Sequence, residues 1–306
     1  MLKYQTLSLC AGGPWTGSVA VPGLRGGEFF PKGRVVSELV NDKNLDRNIA
    51  LTGGEPLSHP DILEILHEIN RRNYKRVMVR TTARGFEDID FLSEVIARGA
   101  YMFEVMPFAG TGGRDAYDKR NIRRNLAGLT NIRRISNRFD SYRTIYLALV
   151  VPVDAGSYTR LIDILKTVFD RAFVDRVIFC WGDPGFNISE AGVYLRKALD
   201  FCVSKEIWAC ARGIPACALS GSILNMEELY AGDFTKKSPL FDGACRGCVF
   251  SKLCAVMPKP GARPLFSPKP AKSHALQPFV ADLIEKGFIF DKENARLYST
   301  NERNGI

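Results

Sequence analysis

The chain has 306 residues, of which 46% are hydrophobic and 25% charged, and a formal net charge of +9. That balance provides for a sizeable core and excludes wholesale disorder. The longest clean apolar run, Ile145–Val151, is far too short to cross a bilayer.

Short apolar runs alternate with helical patterns through the first two-thirds of the chain. Strands are expected at Tyr4–Leu9, Asn48–Leu51, Arg76–Arg80, Tyr101–Val105, Thr144–Val151 and Arg176–Cys180. Between them, apolar residues recur at helical spacing, as in Ile62, Ile65, Leu66 and Ile69, or Leu161, Ile164, Leu165 and Val168. Phe91, Leu92, Val95 and Ile96 follow the same rule. Strands separated by helices predict right-handed βαβ units and a parallel sheet. After Lys205 the character changes: Gly, Pro and Cys become frequent. Pro258–Pro270 holds five prolines and reads as a linker, and Gln277–Lys286 as a short amphipathic tail helix. The organisation expected is a core over 1–205, a cysteine-rich module over 206–260, and a linker with tail over 261–306.

The N-terminus lacks a basic region followed by a long apolar block, so no secretory signal is read and a cytoplasmic location is expected. Eight cysteines would then be reduced thiols, serving as ligands or core packing. Much of the positive excess lies between Arg114 and Arg143, with nine Lys or Arg and three Asp. A solvated helix face is the favoured reading over a polyanion site, because no nucleic-acid motif accompanies it.

The densest local signal is Ile49–Ile62, IALTGGEPLSHPDI. A strand ends in Gly53-Gly54, followed by Glu55, Pro56 and the start of a helix. Glycines at a strand's carboxyl end allow a tight turn and close backbone approach to a ligand. This segment resembles the GGEP element of radical S-adenosylmethionine (SAM) enzymes. The resemblance implies an α/β fold, a partial (β/α)6 barrel of radical SAM type. It also implies that Gly53, Gly54, Glu55 and Pro56 contact the amino group of the SAM methionine moiety.

Other positions depart from that family. Its enzymes hold an iron–sulfur cluster with C-x3-C-x2-C after the first strand; here the three positions are Cys10, Pro14 and Gly17. Pro and Gly side chains carry no donor atom, so Cys10 alone cannot hold a cubane whose irons take thiolates. Cys10 then reads as a relic ligand or a packed thiol. Cys180 reads as core packing, with a cluster rescued by Cys10, Cys180 and a partner's ligand as the rarer alternative. The third strand ends Arg80-Thr81-Thr82-Ala83-Arg84 where a Thr-Asn-Gly turn is usual. The fourth ends Glu104-Val105-Met106-Pro107 where Ser-Leu-Asp is usual. Glu55, Glu104 and Asp183 are the acids available for any different reaction in the cavity. His59, His67 and His274 are scattered and read as solvated or capping groups.

Near the tail, Cys245-Arg-Gly-Cys248 and Cys254 form C-x2-C-x5-C, with Cys217 upstream. A C-x2-C turn lets two thiolates grip one metal. The set resembles the auxiliary cluster modules, called SPASM or twitch domains, that follow many peptide-modifying radical SAM cores. The implied ligands are Cys217, Cys245, Cys248 and Cys254, holding one 4Fe–4S cluster, with zinc the competing metal. Cys202 and Cys210 read as packed. The leading expectation is a radical SAM-like protein without the usual SAM-cleaving ligands, SAM itself being doubtful. It would bind a peptide or protein, beside an active radical SAM maturase. An active enzyme with unusual ligation, or a zinc-stapled protein binding an anionic partner through the Arg-rich segment, are the alternatives. No membrane or nucleic-acid partner is expected.

Overall fold

A computed structural model describes residues 4–10, 29–39, 48–108, 119–137, 145–181, 186–219, 225–226, 288–291 and 296–299. Six strand–helix units and a closing strand run in strict alternation. The strands are β1 (Tyr4–Ser8), β2 (Asn48–Thr52), β3 (Arg76–Thr81), β4 (Ala100–Val105), β5 (Tyr146–Val153), β6 (Arg176–Trp181) and β7 (Trp208–Arg212). The helices between them are α1 (Lys32–Ser37), α2 (Ile62–Arg71), α3 (Ile89–Ala97), α4 (Lys119–Ser136), α5 (Leu161–Phe169) and α6 (Gly192–Ser204). The sheet order is sequential, β1 to β7, and every pairing is parallel. The six expected strands all form, with ends within two residues of those expected. The seventh, Trp208–Arg212, was not foreseen; it lies beyond residue 205, in the segment expected to open the cysteine-rich module.

Period-two alternation divides each strand between two environments. The outward set, including Leu7, Ile49, Leu51, Val77, Val79, Phe103, Leu147, Leu149, Val177 and Phe179, is buried against the helices. The inward set is different: Met106, Ala148, Val150, Ile178, Cys180 and Cys210 form a small second cluster. Helix α2 shows why the helices dock as they do. Its buried residues are Ile62, Ile65, Leu66 and Ile69, one stripe at 3.6 spacing, each contributing about 1.5–3 kcal/mol by burial.

The sheet is strongly curved. Arg212 on β7 makes two hydrogen bonds, of 2.7 and 2.9 Å, to Glu104 on β4. Strands sit about 4.8 Å apart, so three steps of a flat sheet would separate β4 from β7 by about 14 Å. Side chains standing on a flat sheet cannot span that gap, so the inner face closes on itself as a partial barrel. Strands β1 and β7 are its edges among the described residues. The β7 edge is covered in part by Asn225 and Met226, through an Asn225 side-chain bond to the Ala209 carbonyl and a bridge of Met226 to Ala211. Beyond the barrel, β8 (Phe288–Asp291) and β9 (Arg296–Ser299) form an antiparallel pair within the expected tail. The expected tail helix at Gln277–Lys286 lies outside the described residues. No described helix is long and apolar enough to cross a membrane.

The Arg-rich segment resolves into structural contacts where it is described. In α4, Arg124 pairs with Glu87, and Arg133 pairs with Asp175 at 2.6 Å while also donating to the Ile145 carbonyl. Leu126, Leu129, Ile132 and Ile135 form the buried stripe of the same helix. Its closest approach is at Gly128, where an added Cβ would stand 2.0 Å from the Ala83 carbonyl oxygen and 3.2 Å from Phe86 Cβ. Helix propensity alone favours Ala over Gly by about 1 kcal/mol. Contact with fixed backbone outweighs that gain. Gly128→Ala should therefore destabilise the protein by about 1–3 kcal/mol or more, read as a lower urea midpoint, whereas Ala at an exposed helical position should not.

Candidate functional site

The Gly53-Gly54 turn is built against the end of β1. Gly53 has φ +92° and Gly54 φ +59°, both in the left-handed region that favours glycine. A Cβ on Gly53 would stand 2.5 Å from Ser8 Oγ and 2.9 Å from the Leu9 amide nitrogen; on Gly54 it would stand 3.0 Å from Cys10 Sγ. The two glycines thus let β1 and the turn touch, and the Cys10 thiol is packed into the space they leave.

Glu55 ties the turn to the next strand. Its Oε1 accepts from Thr81 Oγ1 at 2.5 Å, and its Oε2 accepts from the Thr82 amide at 2.7 Å and Thr82 Oγ1 at 2.6 Å. A weaker bond at 3.4 Å comes from the Leu57 amide, capping the 3₁₀ turn over Pro56–Ser58. Burial raises the Glu55 carboxyl above its ordinary value of 4.5, against the opposing pull of the Thr81 and Thr82 hydrogen bonds. Pro56 is buried at the first position of that 3₁₀ turn.

Phe29 and Phe30 lie beside the same turn. Cys10 forms an isolated antiparallel bridge with Phe29, and the Phe30 amide donates to the Leu9 carbonyl at 2.9 Å. His59 fastens this segment. Its Nδ1 accepts from the Asp61 amide at 3.0 Å, leaving Nε2–H to donate to the Phe30 carbonyl at 2.9 Å. His59 is therefore a buried cap at the start of α2 and not a solvated group, while His67 is exposed. His274 lies outside the described residues.

A second carboxylate sits in the barrel interior. Glu104 Oε2 accepts from Arg80 Nε at 2.7 Å and Arg212 Nη1 at 2.9 Å, and Oε1 accepts from Arg212 Nη2 at 2.7 Å. Arg176 lies nearby, its Nη2 2.8 Å from Cys210 Sγ and its guanidinium over the Trp208 ring at 4.1 Å. Burial alone would raise the Glu104 carboxyl. The positive charges of Arg212 and Arg80, with the Arg212 hydrogen bonds and Arg176 behind them, hold it well below the ordinary range instead.

The expected cluster position does not fit a three-thiolate site. Cys10 is its one donor-bearing residue, and Pro14 and Gly17 fall outside the described residues. Cys180 is buried inside the barrel, its thiol 3.7 Å from the Val151 carbonyl. Cys210 is buried there too, and Cys202 is buried in the helical layer, where burial pushes its thiol up to about 12. Among the described residues no three His, Cys, Asp or Glu side chains are grouped to hold a metal. Cys217 is half-buried in a 3₁₀ turn shortly after β7. Its proposed companions Cys245, Cys248 and Cys254 lie outside the described residues, as does Asp183. Sequence reasoning missed Thr81, Thr82, Arg80 and Arg212 as partners of the two carboxylates. Thr81 and Thr82 could have been suggested by their place at the end of the strand next to the Glu55 turn; Arg212, at the end of β7, gave no local signal.

No family model and no curated protein matches this chain. Among solved structures it is similar to SuiB of Streptococcus suis, at 14% identity and a TM-score of 0.43, over 60% of this chain and 45% of that one. It is similar also to SuiB bound to S-adenosylmethionine, at 13% identity and a TM-score of 0.41, over 54% of this chain and 39% of that one. The chain thus spans less than half the length of either of these two structures.

The two carboxylates should respond to pH in opposite directions. Glu55, raised when folded, stabilises most below the unfolded value of 4.5 and loses that contribution as pH rises through its folded value. Glu104, depressed when folded, contributes fully above the unfolded value and loses it as pH falls. Urea unfolding of Glu55→Gln should therefore narrow its deficit against wild type between about pH 4 and pH 7. Glu104→Gln should cost about 3 kcal/mol near pH 7, and its deficit should shrink toward about pH 3. Glu55→Ala, which also orphans the Thr82 amide, should cost about 1–3 kcal/mol more than Glu55→Gln at either pH, its own deficit narrowing in step.

Proposed function

We propose that this protein is a radical SAM-like binding protein that does not cleave SAM, recognises a peptide or protein, and carries one iron–sulfur cluster on its C-terminal cysteines. A cytoplasmic location and a companion radical SAM maturase belong to the same reading. The observation that carries it is the state of the turn: Cys10 Sγ packs 3.0 Å from where a Cβ of Gly54 would stand, and Glu55 is engaged by Thr81 and Thr82. A turn held this way keeps its shape without a metal beside it, and two of the three expected ligand positions are Pro14 and Gly17. The barrel's carboxyl end remains the place where an open parallel sheet gathers a ligand.

Cys217, Cys245, Cys248 and Cys254 supply the four thiolates that a 4Fe–4S cluster takes, and a half-buried Cys217 is accessible enough to serve. Bound there, such a cluster would pin the segment after β7, since ligation supplies folding free energy on the order of 10 kcal/mol for comparable metal sites.

Anaerobic reconstitution followed by iron and sulfide analysis tests this reading. We expect about four irons per chain, lost in Cys245→Ala or Cys248→Ala and retained in Cys10→Ala. No 5′-deoxyadenosine should form from SAM under reduction. About eight irons with 5′-deoxyadenosine production would replace this reading with an active enzyme of unusual ligation. Zinc with no iron would replace it with a zinc-stapled binding protein.

A further inference from the structure

The inner face of the sheet carries more positive than negative charge. Apart from Arg76, exposed at the start of β3, its inward-pointing strand residues ionised at neutral pH are Arg80, Arg176 and Arg212 against Glu104. None of the three cations is idle. Arg80 and Arg212 bond Glu104, and Arg176 meets Cys210 and Trp208. Among the described residues, the acids Glu55 and Asp175 are engaged elsewhere, Glu55 with Thr81 and Thr82, and Asp175 with Arg133 and the Leu147 amide.

What solvent meets in this bridge is the positive part. The Arg80 and Arg212 side chains are 16% and 20% exposed, whereas the Glu104 side chain is 5% exposed. The two arginine side chains are thus more open to solvent than the carboxylate that fixes their guanidinium planes. The Arg212–Glu104 contact is a paired fork, the geometry in which a guanidinium meets a planar carboxylate. Low local dielectric makes such pre-oriented donors stronger partners for an anion than the same groups in water.

We propose that the exposed side of the Arg80 and Arg212 guanidiniums, backed by Arg176, is a binding site for a carboxylate of the ligand. The carboxylate could come from an acidic peptide or from a small free dicarboxylate. The inference rests on reading the barrel as a recognition domain, and it names the chemistry recognised.

Calorimetric titration with malonate and with a blocked Glu-rich tetrapeptide, at matched ionic strength and without SAM or reductant, tests it. We expect saturable binding of at least one probe, weakened about tenfold or more in Arg80→Gln and in Arg212→Lys. The tighter probe identifies the source as peptide or small acid. Arg212→Lys keeps the charge and loses the fork, so it separates geometry from net charge. A measurement that needs no variant accompanies it: malonate should protect Arg80 and Arg212 of the wild type from phenylglyoxal, read by mass spectrometry. Absence of saturable binding and of protection would overturn the proposal. So would binding unchanged in folded variants, or inorganic phosphate binding more tightly than both probes. These outcomes are independent of iron content and SAM cleavage, so the site and the broader functional reading fail separately.

Discussion

A carboxylate held between guanidiniums from both flanks of the sheet is the interaction on which the barrel's interior depends. Glu104 stands on the central strand β4. Arg80 reaches it from the adjacent β3, and Arg212 from β7, three strands away. A buried bridge of this kind is a weak source of net stability, because desolvating the ions offsets much of their attraction. Its consequence is geometric. Only a curved sheet brings β7 within reach of β4, and only a ligated carboxylate holds two guanidiniums at fixed orientation. The apolar layer of helices would tolerate a range of curvatures; the ion bridge tolerates few. Removing one partner leaves uncompensated charge in the interior, which costs more than the bridge contributed.

The same principle separates the shape of the GGEP turn from the chemistry usually found beside it. Strand β1 and the turn are in van der Waals contact because positions 53 and 54 lack a Cβ. Glu55 satisfies the end of β3 through Thr81 and Thr82, and His59 fastens the Phe29–Phe30 segment. Each of these contacts lies within the polypeptide. They hold the turn without calling on side-chain donors at positions 14 and 17, where the sequence has Pro and Gly.

Much of the fold was legible in the sequence and little of the site's wiring was. Strands β1 to β6 were readable because each is a short apolar run bounded by a helix whose stripe, such as Ile62, Ile65, Leu66 and Ile69, has an unmistakable period. Strand β7 was hidden because Trp208–Arg212 is short, reads Trp-Ala-Cys-Ala-Arg with little β-branched character, and lies past residue 205, where the composition shifts to Gly, Pro and Cys. Its inward residues are Trp208, Cys210 and Arg212, which pack or pair across the barrel in ways no local window contains. Thr81 and Thr82 were noted as a departure from a family pattern, but their partner lies 26 or 27 residues earlier. In α4 the exposed Arg123 and Arg134 and the Arg124–Glu87 pair fit the solvated face that was expected, whereas Arg133 clamps Asp175 and the Ile145 carbonyl. Contacts across the barrel are tertiary facts; the period of a strand does not encode them.

The distribution of thiols argues where a metal could be held. Metal ligation requires a thiolate, and apolar burial works against ionisation. Cys202, enclosed by α6 and its neighbours and pushed up to about 12, is the least suited of the described cysteines. Cys180 and Cys210 lie inside the barrel among Met106, Ala148, Val150 and Ile178, and Cys210 already meets Arg176. Cys10 fills the space beside Gly54, so recruiting it to a metal would vacate the packing that supports the turn. Cys217 differs from all four. It is the described cysteine that is not fully buried, and it follows directly on the strand whose Arg212 closes the ion bridge. A ligand at that position would couple the C-terminal cysteines to the barrel interior through only five residues of chain, so metal loss there should be felt first at β7.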